Sequence, residues 1–391
     1  MKYVLGLDGG GSKVVCLAAN YKGELLGSGR GGPVNTNYVL YRECKDSATQ
    51  AISMALSEAG LTAEQIDLMV LSAPIDPLTL EEVLQQSKIK HLVRAAEGET
   101  SLWAARFWID MHIGVTVDAG TGSLSRGWTR DGKETGAGGF GAVVGDEGSG
   151  LWISVKAISA VLQAYDGRLE PTNLTQPILE HFGVSHVQDL PFLLMGGFIS
   201  TAKVVETKQA QDRVRFTIDS GHILSQTSKI RREAKTQDTQ ASGGGLFFRQ
   251  FQPAEPLTRH EVASLCPIVG KVARQGDKVA LQILKTAGTE LGRLAAAVIN
   301  RLGMQDEEFA IVPFGGVFTT GEPILESFSE ICLQVAPKAK ITHSKFEPEV
   351  GAVLIALNKI GVEIDSSILS TLERSSQDYP MCLGYRGAHD G

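Results

Sequence analysis

Two glycine-rich turns that follow apolar runs are the segments of this sequence best suited to hold phosphate. The first is Asp8-Gly9-Gly10-Gly11-Ser12-Lys13, and the second is Gly120-Thr121-Gly122-Ser123. Glycine lacks a Cβ atom and adopts positive φ, so successive backbone N–H groups can point toward an anion. The turns match neither GxxxxGK[ST] nor GxGxxG before a helix, which argues against a P-loop and a dinucleotide-binding fold.

Each turn also has a purely structural interpretation. The segment 8–13 could be a tight hairpin with a capping aspartate, and this motif alone does not decide the matter. Two such turns, more than a hundred residues apart, are better explained by two lobes that hold one polyphosphate. Asp8 is then placed to hold Mg²⁺ through water between nucleotide phosphates. Gly315-Gly316 could admit a purine ring, although a lone Gly-Gly pair is more often a plain turn.

The elements predicted around these turns indicate a mixed α/β chain. Three short strands at 3–7, 14–19 and 24–27 are followed by a helix from Cys44, a strand at 66–71, a helix at 78–86 and a strand at 91–95. Antiparallel strands followed by βα crossovers make a mixed sheet with helices packed on it. A second set begins with strands at 113–118 and 124–129, so the opening of the first lobe is repeated.

Later elements complete the second lobe. Apolar periodicity predicts helices at 150–165, 261–273, 279–302 and 350–360, with a strand at 309–313. Residues 204–256 lack such periodicity and are either a mobile lid or an insertion that does no chemistry, of which the insertion is favoured. The predicted division is a first lobe at 1–118, a second lobe at 119–362 that carries the insertion, and a peripheral tail at 363–391.

Composition limits the class of partner. The 391 residues include 37 Lys and Arg against 44 Asp and Glu, a net charge of −7, and 43% are hydrophobic. Without a basic stretch, nucleic acid is not the expected partner, and a small molecule is favoured. No window is apolar enough to span a membrane and no signal-peptide core follows Met1, which predicts a cytoplasmic protein. The five scattered cysteines indicate neither a zinc site nor a disulfide framework.

The segment 138–153 adds the most specific motif. It contains Gly138-Gly139-Phe140-Gly141 and Gly145-Asp146-Glu147-Gly148-Ser149-Gly150-Leu151-Trp152-Ile153. Together with Asn35 and the two glycine turns, it resembles the N-acetylglucosamine kinase branch of the BadF/BadG/BcrA/BcrD ATPase family. Residues 273–277 and 349–352 also resemble the family, so the match covers about residues 1–360 apart from 204–256.

The resemblance implies two ribonuclease-H-like, actin-like lobes that close over ATP, Mg²⁺ and a sugar, with the sugar and phosphate on the first lobe and the nucleotide on the second. The phosphate, Mg²⁺ and adenosine elements implied are Asp8, Gly10, Gly11, Ser12, Thr121, Gly122, Ala263, Gly315 and Gly316. The sugar-binding residues implied are Asn35, Gly139, Phe140 and Asp146. Each sugar residue has a structural alternative: Asn35 as a turn former, Phe140 as core and Asp146 as the cap of the helix that starts near Ser149.

A sugar kinase also needs a carboxylate base, which in the family is an aspartate at the end of the last strand of the first lobe. The aligned residue here is Glu97, and Glu99 is a less well aligned candidate. A solvated acidic pair at a helix N-terminus is the structural alternative. Glutamate is one methylene longer than aspartate, and Pro74 stands where the family usually has glycine, so both changes bear on the choice of substrate.

The leading hypothesis is therefore an ATP-dependent kinase of an amino sugar such as N-acetylglucosamine or glucosamine. The alternative is a kinase-fold sensor, catalytically weakened, that binds sugar or nucleotide and signals by lobe closure. An ATPase that energises an iron–sulfur dehydratase is disfavoured because the cysteines are not placed to share a cluster. Symmetry statistics make a homodimer the default expectation.

Overall fold

Two five-stranded sheets with matching strand order form the framework of the protein. The computed structural model describes residues 2–36, 39–107, 113–191, 194 and 257–380. The predicted insertion at 204–256 lies outside the described residues, and so does Cys382. Each sheet pairs one antiparallel three-stranded meander with two parallel strands, and the sequence predicted all five strands of the first sheet but only three of the second.

The first sheet has the order β3-β2-β1-β4-β5. Its strands are β1 (Tyr3–Gly9), β2 (Val14–Asn20), β3 (Leu25–Gly31), β4 (Ile66–Ser72) and β5 (Leu92–Arg94). Strands β1 to β3 are antiparallel neighbours, whereas β4 pairs with β1 and β5 pairs with β4 in parallel. The carboxyl ends of β1, β4 and β5 therefore meet at one edge.

The second sheet has the order β10-β9-β6-β7-β8. Its strands are β6 (Gly114–Ala119), β7 (Ser123–Trp128), β8 (Glu134–Gly138), β9 (Ala310–Phe314) and β10 (Lys340–Ile341). Strand β6 occupies the central position that β1 has in the first sheet, since each pairs with an antiparallel hairpin partner and a parallel strand. The sequence did not predict β8 or β10.

The helices of the N-terminal part of the chain that accompany the first sheet are α1 (Tyr41–Ala59), α2 (Pro77–Ser87) and α3 (Glu99–Arg106). Leu5 and Leu7 of β1 belong to the core beneath α1, whereas Val4 belongs to the core on the opposite face. This alternation follows from the two-residue period of a strand, and it shows that both faces of the first sheet are covered.

Among the described residues, six helices pack around the second sheet: α4 (Gly150–Tyr165), α5 (Thr175–Phe182), α6 (Arg259–Ala263), α7 (Cys266–Arg274), α8 (Lys278–Leu302) and α9 (Glu322–Val335). The single helix predicted at 261–273 was wrong, because the chain breaks into α6 and α7. Pro267 lacks an N–H group and its ring would clash with the carbonyl of Ala263 in a continuous helix. That carbonyl instead lies 3.5 Å from the Ser154 hydroxyl.

The last two helices, α10 (Pro348–Lys359) and α11 (Ser366–Ser375), return to the first sheet. Helix α10 packs across β1 and α3. In α11, Leu372 is fully buried, and the Ser375 hydroxyl accepts a hydrogen bond of 2.9 Å from the backbone N–H of Leu25. The predicted division into a first lobe at 1–118, a second lobe at 119–362 and a tail at 363–391 remains a prediction.

The four described cysteines are buried and carry free thiols: Cys16, Cys44, Cys266 and Cys332. Burial raises the pKa of the Cys266 thiol to about 11. These four residues are packing elements of the core. None of the helices in the described part of the chain combines the length and apolar character that a membrane crossing requires.

Candidate active site

The two predicted phosphate turns meet each other across a cleft between the sheets. The Ser12 hydroxyl lies 2.7 Å from the Thr121 hydroxyl, and the His260 Nδ1 atom lies 3.0 Å from the Ser12 hydroxyl. A cavity of about 460 Å³ opens beside this contact and is lined by both turns. That volume falls within the range typical of small-molecule sites.

Asp8 lies at the end of β1, at the base of the first turn. Its Oδ1 accepts a hydrogen bond of 2.7 Å from the Thr100 hydroxyl of α3. Burial raises the pKa of Asp8, while the hydrogen bond from Thr100 and the positive charge of Lys13 oppose that shift. The turn itself is closed by the Gly10 N–H, which donates to the Lys13 carbonyl at 3.0 Å. The carboxylate is thus held by a helix of the first lobe, and it borders the cavity.

Asp118 is a second carboxylate in this cleft, and sequence reasoning did not single it out. It lies on β6 just before the second turn, and the Ser101 hydroxyl donates to its Oδ1. Its Oδ2 is buried without a hydrogen-bond partner. Burial raises the pKa of Asp118 to about 7, and the nearby Asp8 and Glu97 carboxylates add to the shift. The available signal was its position, since Asp118 precedes the second glycine turn as Asp8 precedes the first.

The carboxyl group of Asp146 contacts the backbone of the second turn. Only 6% of the residue is exposed, and its φ of 56° is in the left-handed region that aspartate tolerates better than most residues. Its Oδ1 lies 3.4 Å from the Ser123 backbone N, and it also accepts a hydrogen bond from the Gly141 backbone. A Cβ atom on Gly122 would lie 3.0 Å from Asp146 Oδ2, so the close approach depends on glycine there.

The alternative role of Asp146 as a helix cap was wrong. The N-cap of α4 is Ser149, whose hydroxyl accepts from the Trp152 N–H at 3.2 Å. The carboxyl group of Asp146 remains at the cavity, where burial raises its pKa and the positive charge of Arg259 opposes the shift. The residue is therefore available to a ligand in the cleft.

Glu97 and Glu99 have different surroundings. Glu97 borders the cavity, and its Oε2 lies 4.0 Å from the place that a Cβ atom would take on Gly139. Although the residue as a whole is exposed, desolvation of its carboxylate raises the pKa, as does the charge of Asp146, while Arg126 lowers it. Glu99 instead accepts a hydrogen bond of 2.8 Å from the Ala96 N–H at the start of α3. The carboxylate at the cavity is thus Glu97, and Glu99 stabilises a helix end.

Helix α10 brings two further carboxylates to the cleft, Glu347 and Glu349. Glu349 is 2% exposed, and its Oε1 has no hydrogen-bond partner. Burial raises the pKa of Glu349 to about 8; Lys13 opposes the shift, and Glu347 and Asp8 reinforce it. Within the described residues, no group of three or more His, Cys, Asp or Glu side chains is arranged to hold a metal ion.

Two loops of the first lobe close the cavity on the side of Asn35. The Thr36 backbone N–H and hydroxyl both donate to the Pro74 carbonyl at 3.1 Å. Arg94 Nη2 donates to the Ala73 carbonyl at 3.2 Å and to the Ile75 carbonyl at 2.9 Å. Asn35, Pro74 and Arg94 thereby line one continuous wall.

The remaining predicted residues are divided between the cavity and its surroundings. Gly139 and Gly315 line the cavity, together with Gly10 and Gly11. Gly315 has a φ of 96°, and a Cβ atom there would lie 2.4 Å from the Ala119 carbonyl oxygen. Gly316 begins the short 3₁₀ turn Gly316–Thr319, and Ala263 ends α6; neither lines the cavity. Phe140 is 75% exposed and also lies outside the cavity, so its alternative role as core was wrong.

Comparison with known proteins gives a family for this arrangement. The model of the BadF/BadG/BcrA/BcrD ATPase family matches residues 5–356. An N-acetylmuramic acid/N-acetylglucosamine kinase of Clostridium acetobutylicum is 26% identical over 362 residues, which cover 91% of this chain and 98% of the relative. An N-acetyl-D-glucosamine kinase of Dictyostelium discoideum is 25% identical over 379 residues, covering 90% and 97% of the two chains.

A solved structure gives the corresponding fold. A candidate N-acetylglucosamine kinase from Chromobacterium violaceum superimposes with a TM-score of 0.59 at 21% identity, covering 91% of this chain and 99% of that one. The prediction of an α/β protein with two actin-like lobes is confirmed at the level of the fold.

Proposed function

The chain belongs to the BadF/BadG/BcrA/BcrD ATPase family, and on that premise we propose that it is an ATP-dependent kinase of an amino sugar such as N-acetylglucosamine or glucosamine. The names of the relatives support the acceptor class. The observation that carries the proposal is the cleft in which two glycine turns, Asp8, Asp118 and Glu97 border one cavity. Phosphoryl transfer needs little more than oriented reactants and neutralised charge, which such a cleft can supply.

Glu97 is the proposed general base. Its raised pKa brings the carboxylate closer to neutral pH, where a base accepts a proton most effectively. In this role Glu97 accepts the proton of the sugar hydroxyl as the bond to phosphorus forms. Glu99 is excluded from the role because its carboxylate is bound to the Ala96 N–H.

The proposed sugar contacts are Asn35, Gly139 and Asp146, which line the cavity near Glu97. Amide and carboxylate groups can orient the ring by hydrogen bonds to its hydroxyls. Phe140 is left out of the proposal because its ring is exposed and outside the cavity.

The residues at the two turns suit a nucleotide polyphosphate with a hard divalent cation. Burial raises the pKa of both Asp8 and Asp118, and the buried Oδ2 of Asp118 has no partner, so a cation with oxygen ligands would relieve an unfavourable local charge. Asp8 and Asp118 would hold Mg²⁺ directly or through water. When bound, Mg²⁺ supplies positive charge to the phosphate oxygens.

The adenosine of the nucleotide is proposed to bind to the second lobe, with its phosphates between the two glycine turns. The backbone N–H groups of Gly11, Ser12, Thr121 and Gly122 are proposed to face its phosphates. The Gly10 N–H closes the first turn on the Lys13 carbonyl, so Gly10 is proposed to contribute by letting the backbone approach the phosphates closely. Ala263 and the pair Gly315-Gly316 would flank the adenosine. A homodimer remains a prediction.

The test is ADP release from Mg·ATP in the presence of N-acetylglucosamine, N-acetylmuramic acid, glucosamine, N-acetylmannosamine or glucose, with Glu97→Ala and Glu97→Asp alongside. Sugar-dependent release that Glu97→Ala abolishes supports the proposal. A folded wild-type protein that binds sugar, as seen by thermal stabilisation, yet releases no ADP would contradict it and favour the sensor. Activity restored by Glu97→Asp would then trace the loss to the longer side chain.

A further inference from the structure

Arg94 places a positive charge at the sugar side of a cleft whose other ionisable groups are mostly acidic. It ends β5, and Glu97 follows three residues later in the same segment. Arg94 shares the cavity wall with Asn35 and Pro74, whereas Lys13 influences the carboxylates near α10. The two cations are thus associated with different walls of the cavity.

The position of the Arg94 guanidinium is fixed by the loop beneath it. Nη2 donates hydrogen bonds to two carbonyls of that loop, those of Ala73 and Ile75. The loop is in turn tied to Thr36, whose hydroxyl donates to the Pro74 carbonyl and accepts from the Asp76 N–H at 3.0 Å. A group held in this way loses little conformational freedom when it binds a ligand.

The remaining donors of Arg94 are not used by the described protein. No carboxylate among the described residues forms an ion pair with Arg94, and Nε and Nη1 have no hydrogen-bond partner there. The residue is also exposed at the cavity rim, where a substituent on a bound sugar would reach it. Guanidinium N–H groups bind carboxylates more strongly than they bind neutral hydroxyls.

We propose that Arg94 recognises a carboxylate on the acceptor, so that the preferred substrate is an acidic amino sugar, such as one that carries a lactyl ether, rather than its neutral counterpart. This inference rests on the proposed kinase function. The acceptor would extend from Glu97, at the hydroxyl that receives the phosphoryl group, to Arg94, at the acidic substituent. Three consecutive Cα–Cα steps join the two residues, so their Cα atoms are at most about 11 Å apart.

The experiment compares kcat/KM for N-acetylmuramic acid, its methyl ester and N-acetylglucosamine in the wild type, Arg94→Met and Arg94→Lys. The expected result is a ratio of acid to neutral sugar that falls roughly tenfold or more in Arg94→Met and recovers in part in Arg94→Lys. The methyl ester should behave as the neutral sugar does. Raising the salt concentration should weaken the reaction of the acid more than that of the neutral sugar.

Thr36→Val is the matched control, because it removes hydrogen bonds from the same loop without removing the charge. Because that loop also positions Arg94, the acid-to-neutral ratio should fall in Thr36→Val too, but by much less than in Arg94→Met. An acid-to-neutral ratio that is unaffected by Arg94→Met, or equal rates for the acid and its ester, would overturn the inference while leaving the kinase intact.

Failure of the kinase proposal has a different signature, namely no ADP release with any sugar. In that case calorimetric binding of N-acetylmuramic acid and N-acetylglucosamine to the wild type and Arg94→Met still decides the role of Arg94. Selective loss of acid binding in Arg94→Met supports it, and equal affinities in the two proteins overturn it.

Discussion

The hydroxyl groups of Ser12 and Thr121 lie within hydrogen-bond distance of each other, although the two residues belong to hairpins of different sheets. A Cβ atom on the neighbouring Gly11 would lie 3.1 Å from the Thr121 Cβ, so the two backbones are close as well. His260 of α6 adds a third hydrogen-bonding group at this point. The base of the cleft is therefore a direct contact between the lobes, and small changes there are expected to affect ligands on both sides.

Replacement of Glu97 by glutamine should lower kcat with Mg·ATP and the best sugar by about 10²-fold or more, because the amide cannot accept the hydroxyl proton. The KM for ATP should change much less. Steady-state kinetics of purified protein measures both constants. Glu99→Gln is the matched control, since that side chain caps α3 and should keep most of the activity. Equal losses in the two variants would rule out a specific role for Glu97.

Replacement of Asp118 by asparagine should raise the Mg²⁺ concentration needed for half-maximal activity by about tenfold, since a carboxylate ligand is lost. Titration of activity against Mg²⁺ at saturating ATP measures the change. Ser101→Ala removes only the hydrogen bond to Asp118 and should have a smaller effect. If Asp118→Asn and the wild type gave the same Mg²⁺ dependence, Asp118 would have no part in holding the cation.

Glu349 predicts a pH dependence of stability. Its folded-state pKa of about 8 lies above the ordinary value of 4.5, so the folded protein favours the neutral carboxyl. The stabilisation from this group is complete below about pH 4.5 and is lost as the pH rises through about 8. Glu349→Gln should therefore melt about 3 °C or more above the wild type at pH 9 and close to it at pH 5.

Thermal melts without ligand between pH 5 and pH 9 measure this difference. Glu363→Gln serves as the control, because Glu363 is exposed in the segment after α10. An advantage of Glu349→Gln that did not grow with pH would show that the carboxyl of Glu349 does not ionise in this interval.

Replacement of Gly315 by alanine should destabilise the protein by about 2–4 kcal/mol, because the residue has a φ of 96° and its Cβ would meet the Ala119 carbonyl at 2.4 Å. Gly316→Ala should have a much smaller effect, since nothing lies within 4 Å of the corresponding Cβ. Urea unfolding of both variants without nucleotide tests the contrast. Similar midpoints for the two would mean that the β9 turn can shift away from β6.

Local signals predicted most of what surrounds the phosphate turns. Glycine runs after apolar strands identified Asp8 and the segment 120–123, because the conformation of a tight turn depends mainly on the residues within it. Asp118 could not be predicted from local signals. Its raised pKa depends on burial and on the nearby Asp8 and Glu97 carboxylates, and its hydrogen bond comes from Ser101, so these properties arise only in the folded chain. The break at Pro267 was present in the sequence, yet apolar periodicity continued across it.

The neighbours of Arg94 and Phe140 could not be predicted in the same way. Arg94 acquires its place through carbonyls of a loop about twenty residues earlier, and no periodic pattern encodes such a contact. Phe140 belongs to a motif that suggested a sugar wall, but the orientation of its ring depends on the backbone of the segment 139–147. Positive φ values at Gly139, Gly141 and Asp146 determine that backbone, and they are properties of the fold rather than of the motif.

Helix α10 bears on the order in which the protein forms during synthesis. It covers β1 so closely that a Cβ atom on Gly6 would lie 2.5 Å from the Val353 backbone N. One face of the first sheet therefore lacks this cover until the ribosome has passed residue 359, even though the strands of that sheet are made first. We therefore expect the first sheet to reach its native packing late in translation, once α10 has emerged.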